Sequence, residues 1–286
     1  MNTFSRRSFI GKGAMGLGAT LALGALPKEL LAAANYNDIP IGFQTWVVRD
    51  RLGKDFPGTL KSMSDAGFKI MELCSPQGYA QLGFGSLTSM KPAEIKKTIN
   101  DAGLNCYSCH YGFKELTDNL DERIAFAKEL GLTHMVCSTF WLPKTATIKD
   151  YQDHADQLNK SAEKIKKAGM QAGFHNHDME FAKIDGQLIY DALLKQFDKD
   201  LVKMQFQTQV ITLGYKASDY FKQYPGRFFS AHLSDWSADK KEKPIGQGVI
   251  DWKEFFAAAK AAGIKYYYVE MDPATFPDSI AYIKSV

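Results

Sequence analysis

Lys166-Lys167-Ala168-Gly169-Met170-Gln171-Ala172-Gly173-Phe174-His175-Asn176-His177 reads as a helix end, a glycine stop and the start of a buried strand. Glycine closes helices because it takes the left-handed backbone without a Cβ clash. The same junction recurs as Ala66-Gly67-Phe68, Ala102-Gly103-Leu104, Leu130-Gly131-Leu132 and Ala262-Gly263-Ile264. Helix, glycine and apolar strand, repeated at intervals of roughly thirty residues, is the pattern of parallel β/α units. It predicts strands over 41–46, 69–73, 105–110, 134–137, 170–175, 202–207, 228–233 and 266–270. Helices are predicted over 59–66, 92–102, 121–130, 148–168, 187–196, 217–224, 252–262 and 276–284. The longest of these places Tyr151, Ala155, Leu158, Ala162 and Ile165 on one face, with lysines opposite. Eight strands with eight helices in about 250 residues is the count of a single (β/α)8 TIM barrel, an α/β fold. A doubly wound open sheet is the alternative, but no Gly-x-Gly-x-x-Gly follows the first strand.

The first 34 residues read as an export leader, set apart from a barrel domain at 35–286. Ser5-Arg6-Arg7-Ser8-Phe9-Ile10-Gly11-Lys12 resembles the twin-arginine export motif. A run rich in Ala, Gly and Leu follows over 13–26, too short for a stable transmembrane helix. Ala32-Ala33-Ala34 then offers small residues for cleavage. That export route carries folded proteins, often with a cofactor already loaded. The expected location is the periplasm, with no stable membrane insertion after cleavage.

Apolar residues make up 45% of the 286-residue chain, enough for a full core. The net charge is only +3 and no Lys/Arg block carries interleaved aromatics, which sets nucleic acid aside as a partner. Cys74, Cys106, Cys109 and Cys137 have no pairing that sequence can assign. Cys106-Tyr107-Ser108-Cys109-His110 matches the haem-attachment pattern formally. It lies inside an apolar strand, where residues three apart face opposite sides, so the cysteines read as packing.

In a barrel of this kind, catalytic groups stand where each strand enters its following loop. Those positions hold Trp46, Glu72, His110, Cys137-Ser138, His175 with His177, Gln207, His232 and Glu270. Ionisable groups at the ends of apolar strands are costly unless paired or metal-bound. Two residues apart on a strand, His175 and His177 should project to one face. They read either as a hydrogen-bonded pair or as part of a metal or catalytic site.

The segment over 173–181, the stretch Gly226-Arg227-Phe228-Phe229-Ser230-Ala231-His232-Leu233-Ser234-Asp235 and the stretch Gly246-Gln247-Gly248-Val249-Ile250-Asp251-Trp252 carry a resemblance. They resemble the xylose-isomerase-like TIM barrel family of sugar isomerases and epimerases, inosose dehydratases, 3-keto-glycoside lyases and endonuclease IV-type enzymes. The resemblance implies a divalent metal held by Glu, Asp, His and Glu from the ends of strands five to eight. The metal would hold adjacent sugar oxygens while a base moves a proton at the carbon between them. His232 matches the family's histidine and Glu270 its last glutamate. His175, or functionally His177, stands at the strand-five glutamate, and Gln207 at the strand-six aspartate. The expected ligands are therefore His175, Gln207, His232 and Glu270, with one carboxylate where the family has three. Such a set leaves a positive site and favours Mn, Zn, Fe or Co over Mg, or it marks a site that has lost its metal.

Catalytic candidates are Glu270, His177, Glu72 and His110. Glu72 also reads as an ion pair to a neighbouring loop, and His110 as a packed rim histidine. Trp46, Arg227, Trp236 and Glu180 are candidates for holding substrate. Arg227 resembles the family's arginine but also reads as a structural ion pair. Glu180 and Asp235 would orient His177 or His232 from behind. Phe113, Phe140 and Trp141 are further rim aromatics suited to a sugar face or to packing.

The implied substrate is a small sugar or keto-sugar. Proton abstraction beside its carbonyl gives isomerisation or epimerisation. It gives elimination if a β-substituent leaves, as in lyases that act after a partner sugar dehydrogenase. A non-catalytic sugar-binding protein on a degraded metal site is the competing reading, with Gln207 as its signature. An endonuclease is disfavoured by charge and by too few metal ligands.

Overall fold

Eight parallel strands close on themselves within residues 40–286, the part of the chain that the computed structural model describes. The leader read at 1–34 lies outside the described residues. The strands are β1 (Ile41–Gln44), β2 (Ile70–Cys74), β3 (Asn105–Tyr111) and β4 (His134–Cys137). They continue with β5 (Gln171–His175), β6 (Val202–Gln207), β7 (Phe228–Leu233) and β8 (Tyr266–Val269). β1 pairs with both β2 and β8, so the sheet has no open edge. The architecture is the single (β/α)8 barrel that the glycine junctions predict.

The outer helices are α1 (Phe56–Ala66), α2 (Pro92–Asp101), α3 (Leu120–Leu130) and α4 (Ile148–Lys167). They continue with α5 (Ile189–Gln196), α6 (Ala217–Gln223), α7 (Trp252–Ala262) and α8 (Phe276–Ser285). α4 shows how sequence sets an element. Thr147 and Asp150 form a reciprocal cap at its start, and Tyr151, Ala155, Leu158, Ala162 and Ile165 bury one face. Gly169, at φ 86°, ends the turn so that β5 can begin two residues later. Among the described residues no helix is long and apolar enough to cross a membrane.

Some boundaries differ from the sequence pattern, each for a local reason. β1 ends at Gln44 because the Gln44 side chain accepts the Trp46 N–H and starts a 3-10 turn over Thr45–Val48. The helix predicted from 187 begins at Ile189. Lys183–Ile184 and Gln187–Leu188 form a small hairpin around Asp185-Gly186, both with positive φ. Asp-Gly is a strong two-residue hairpin signal. The cysteines are free thiols, with Cys106 and Cys109 inside β3 as the strand pattern required.

Two irregularities set up the barrel interior. The pairing of β2 with β3 skips Tyr107, so Met71 faces Cys106 and Glu72 faces Ser108. The pairing of β6 with β7 skips Phe229, so Met204 faces Phe228 and Gln205 faces Ser230. One extra residue in a strand re-aims the side chains beyond it. The two skipped residues supply the barrel floor: Phe229 stacks on His134 at 4.5 Å, and Tyr107 meets Tyr266 at 5.7 Å. Gly173 on β5 leaves the space that Phe229 fills, since a Cβ there would lie 2.8 Å from the ring. The ring is pinned by His134 and cannot retreat freely. Gly173→Ala should therefore lower stability by about 1–3 kcal/mol through overpacking. A urea titration would show this as a reduced midpoint with an unchanged slope, and an unaltered midpoint would contradict the packing.

Candidate active site

Glu72 on β2 has no solvent exposure. A buried carboxylate persists only where donors replace water. The barrel supplies them from four strands. Gln44 on β1 donates at 2.7 Å, Ser108 on β3 at 2.5 Å and Gln205 on β6 at 2.8 Å. The Nε2 atoms of His110 on β3 and His232 on β7 stand 3.1 and 2.5 Å from the same carboxylate. Alternation explains the set: Ser108 with His110, and Gln205 with Gln207, are pairs two apart on one strand face. Glu72 is therefore the anchor of the site, not the accessible base among the readings from sequence.

His232 continues the chain outward. Its Nδ1 lies 2.8 Å from Oε2 of Glu270, just past β8, so one imidazole bridges two carboxylates. Burial works against a charged ring, but the charges of Glu270 and Glu72 and their hydrogen bonds outweigh it and lift His232 to about 9. Burial likewise pushes both carboxyls upward, and the facing histidines overcome it, so Glu72 and Glu270 are held below the usual glutamate range. The Gln207 amide donates to the same Glu270 Oε2 at 2.6 Å. Its own oxygen accepts from the Gln209 N–H and the Ser234 hydroxyl, both at 3.3 Å.

Above this chain lies an open cleft of about 400 Å³, whose lining includes Trp46, His177, Gln207, Trp236 and Glu270. His175 and His177 part company here. His175 ends β5 and is buried against His232, with ring centroids 4.4 Å apart. His177 lies beyond the strand, nearly perpendicular to His175, and faces the cleft. Burial lowers both histidines, so both are neutral near pH 7, and each has an Nδ1 with no hydrogen-bond partner.

Three expected residues stand elsewhere. Glu180 is buried and accepts the His177 backbone N–H at 2.7 Å and the Thr139 hydroxyl at 3.4 Å, so it fixes the loop rather than touching a ligand. Burial raises its carboxyl to about 7. Asp235 does not orient His232. It collects the N–H groups of Trp236, Gly246, Gly248 and Ile250 and the Trp252 indole. Arg227 precedes β7, at the end of the strand opposite His232, and donates to the Phe197 carbonyl. It cannot reach a ligand in the cleft.

The model of the xylose isomerase-like TIM barrel matches residues 60–286. The chain belongs to that family. Among solved structures, a sugar phosphate isomerase/epimerase from Parabacteroides distasonis is 24% identical, with a TM-score of 0.74 over 87% of this chain and 96% of that one. The probable 3-DHS dehydratase AsbF of petrobactin synthesis from Bacillus anthracis is 13% identical, with a TM-score of 0.66 over 86% and 98%. The IOLI protein with a binding zinc atom is 12% identical, with a TM-score of 0.64 over 86% and 96%. At these identities the likeness shows the shared fold. No curated protein matches the sequence.

Within this xylose isomerase-like barrel, two of the expected ligands, His175 and His232, fall in one metal-capable group with His110. His110, His175 and His232 each offer a ring nitrogen, all within 4.8 Å of one another. These three buried histidines could hold a metal ion, and the partnerless Nδ1 of His175 fits that use. Gln207 is turned to Glu270 as a donor instead of presenting its oxygen. Imidazole donors suit Zn, Mn, Fe or Co better than Mg. Glu72 and Glu270 flank this group through His232, so two carboxylates stand beside it. Gln44, Ser108 and Gln205 were not among the residues singled out from sequence. For Gln205 the signal was present, since it shares a strand face with Gln207.

Two outcomes follow from His232. Its folded value of about 9 exceeds the ordinary 6.5, so its contribution to stability is complete below about 6.5 and lost as pH rises through about 9. Melting temperatures of chelator-treated protein should fall across that window, and Glu270→Gln should move the fall to lower pH. An unchanged profile in the variant would remove the bridge. An ion on His232 must displace its proton. Calorimetry of Zn²⁺ binding at pH 7 in buffers of different ionisation heat should show about one proton released per ion. Absence of Zn²⁺ binding would count against the three-histidine site.

Proposed function

We propose that this chain is a carbohydrate enzyme that moves a proton at a carbon beside a sugar carbonyl, as sugar isomerases and epimerases do. The observation that carries the reading is Glu270. Its side chain is 16% exposed at the cleft, and its bonds to His232 and Gln207 both fall on Oε2. Oε1 is left to meet a ligand. Positive charge at His232, carried by its proton or by an ion in the proton's place, keeps the carboxylate ionised, and the Gln207 amide keeps it aimed.

In this reading the substrate C–H bond breaks, the proton passes to Oε1 of Glu270 and the electron pair enters an enolate. Return of the proton to the neighbouring carbon gives isomerisation, and return to the opposite face of the same carbon gives epimerisation. His177, neutral and on the cleft wall, exchanges protons with the substrate oxygens. Trp46 and Trp236 line the cleft beside the sugar. A divalent ion on the three histidines would supply Lewis-acid polarisation of the carbonyl oxygen. Glu72 acts beneath them by holding His110 and His232 in place. Elimination shares the first step and differs only in the fate of the electron pair. The reading includes export, since the twin-arginine leader would deliver a folded barrel to the periplasm.

Solvent deuterium incorporation into a panel of free sugars, keto-sugars and keto-glycosides, with Zn²⁺ or Mn²⁺ added, tests the proposal. Glu270→Gln should reduce exchange by about 10²- to 10⁴-fold. Full exchange by that variant would exclude Glu270 as the base. Product analysis of the wild type then separates isomerisation from elimination.

A further inference from the structure

The cleft carries its own statement about what ligand it takes. Barrels of this fold frequently bind phosphate through the loops after strands seven and eight. Here the loop after β7 contains Gly246-Gln247-Gly248, whose backbone N–H groups are the natural candidates for such a nest. They are already engaged. Gly246 and Gly248 donate to Oδ2 of Asp235 at 2.9 and 3.0 Å, and Ile250 donates to Oδ1 at 3.4 Å. Asp235 is fully buried and takes the Trp252 indole N–H as well, at 2.8 Å. A protein carboxylate thus occupies the place of an anion, and those donors are not free for a phosphate.

The charges along the cleft point the same way. Glu242, Glu270 and Asp272 line it, against a single cation, Arg49. That guanidinium is stacked 4.1 Å over the Trp46 ring and donates to the Trp46 carbonyl at 2.8 Å. A phosphate dianion would meet three carboxylates and one engaged cation.

One large apolar side chain stands outside the cleft, on its His177 side. Trp141 is 71% exposed and holds a left-handed backbone, with φ 51°. Its ring lies 6.3 Å from that of His177, tilted by 38°. Its N–H donates to the Thr139 hydroxyl, which donates to Glu180, and Glu180 also takes the His177 N–H. One buried carboxylate therefore ties down the backbone that carries both the cleft histidine and the exposed ring beside it. A strained backbone maintained for an exposed tryptophan needs a use at the surface.

We propose that the site takes an uncharged glycoside, not a sugar phosphate, and that Trp141 is the platform for the group beyond the reacting ring. The inference rests on the carbohydrate reading above and names the substrate class for it. Binding tests it apart from the chemistry. Calorimetry on the wild type would compare glucose and galactose, their 6-phosphates, and the disaccharides cellobiose and lactose, none of which needs to react. A disaccharide should bind more tightly than its monosaccharide, and the 6-phosphate should bind more weakly than the free sugar. Trp141→Ala should weaken the disaccharide roughly five- to tenfold and leave the monosaccharide unchanged. An unaltered melting temperature would show that the variant is folded, as an exposed position allows. Tighter binding of a 6-phosphate, equal weakening of both sugar classes, or no binding of any of the six would overturn the proposal. Retained binding with no deuterium exchange would instead sink only the proton-transfer reading.

Discussion

A carboxylate sealed inside a barrel is the constraint on which the rest of this structure depends. Glu72 has no water to solvate it, so side chains from β1, β3, β6 and β7 converge to replace water. Each of those side chains is fixed in turn. The Nε2–H of His110 is shared between the Gln205 oxygen at 2.6 Å and the Glu72 carboxylate at 3.1 Å, and its ring stacks on His232 at 12°. Gln205 reaches Ser230 at 2.9 Å while it holds Glu72. The network is fully connected at its centre, which is the condition under which buried polar groups rigidify a site instead of weakening it.

From that anchor the arrangement runs outward in one direction. Glu72, His232 and Glu270 form carboxylate, imidazole and carboxylate in sequence, from the sealed interior to the cleft. The inner carboxylate stabilises a charge on His232, and that charge keeps the outer carboxylate ionised. Hence a residue with no access to any ligand sets the protonation state of one that has access. In the proposed chemistry this is how Glu72 contributes without touching the substrate.

Much of this could be read from the chain, and the parts that could not share a cause. The helix-glycine-strand junctions specify the barrel because each glycine marks a helix end that only a short link separates from a buried strand. Strand-end positions specify the rim, so Glu72, His110, His175, His232 and Glu270 were visible as a group. Side-chain direction was less legible, because it follows a period of two only while the strand is unbroken. The extra residues Tyr107 and Phe229 shift that period inside β3 and β7, and nothing in composition marks them. The same limit separates His175 from His177: the strand ends between them, so equal facing no longer holds. Arg227 was misplaced for a simpler reason. It stands just before a strand, and only the ends of strands reach the rim.

Gln207 bears on how the outer part of the site is held together. A lost ligand would be free to drift, leaving its amide unpaired or turned to solvent. Here the amide is used at both ends, donating to Glu270 and accepting from Gln209 and Ser234. An aspartate at this position would set a second carboxylate against Oε2 of Glu270, where His232 already supplies the compensating charge. The two acids would then share or raise their protons, and Glu270 would lose the ionised state it now holds. With carboxylate on β2 in place of β6, an amide is the residue type that leaves Glu270 charged and oriented. Gln207 and Glu72 therefore fit one arrangement, with the inner carboxylate on β2 and a neutral donor on β6.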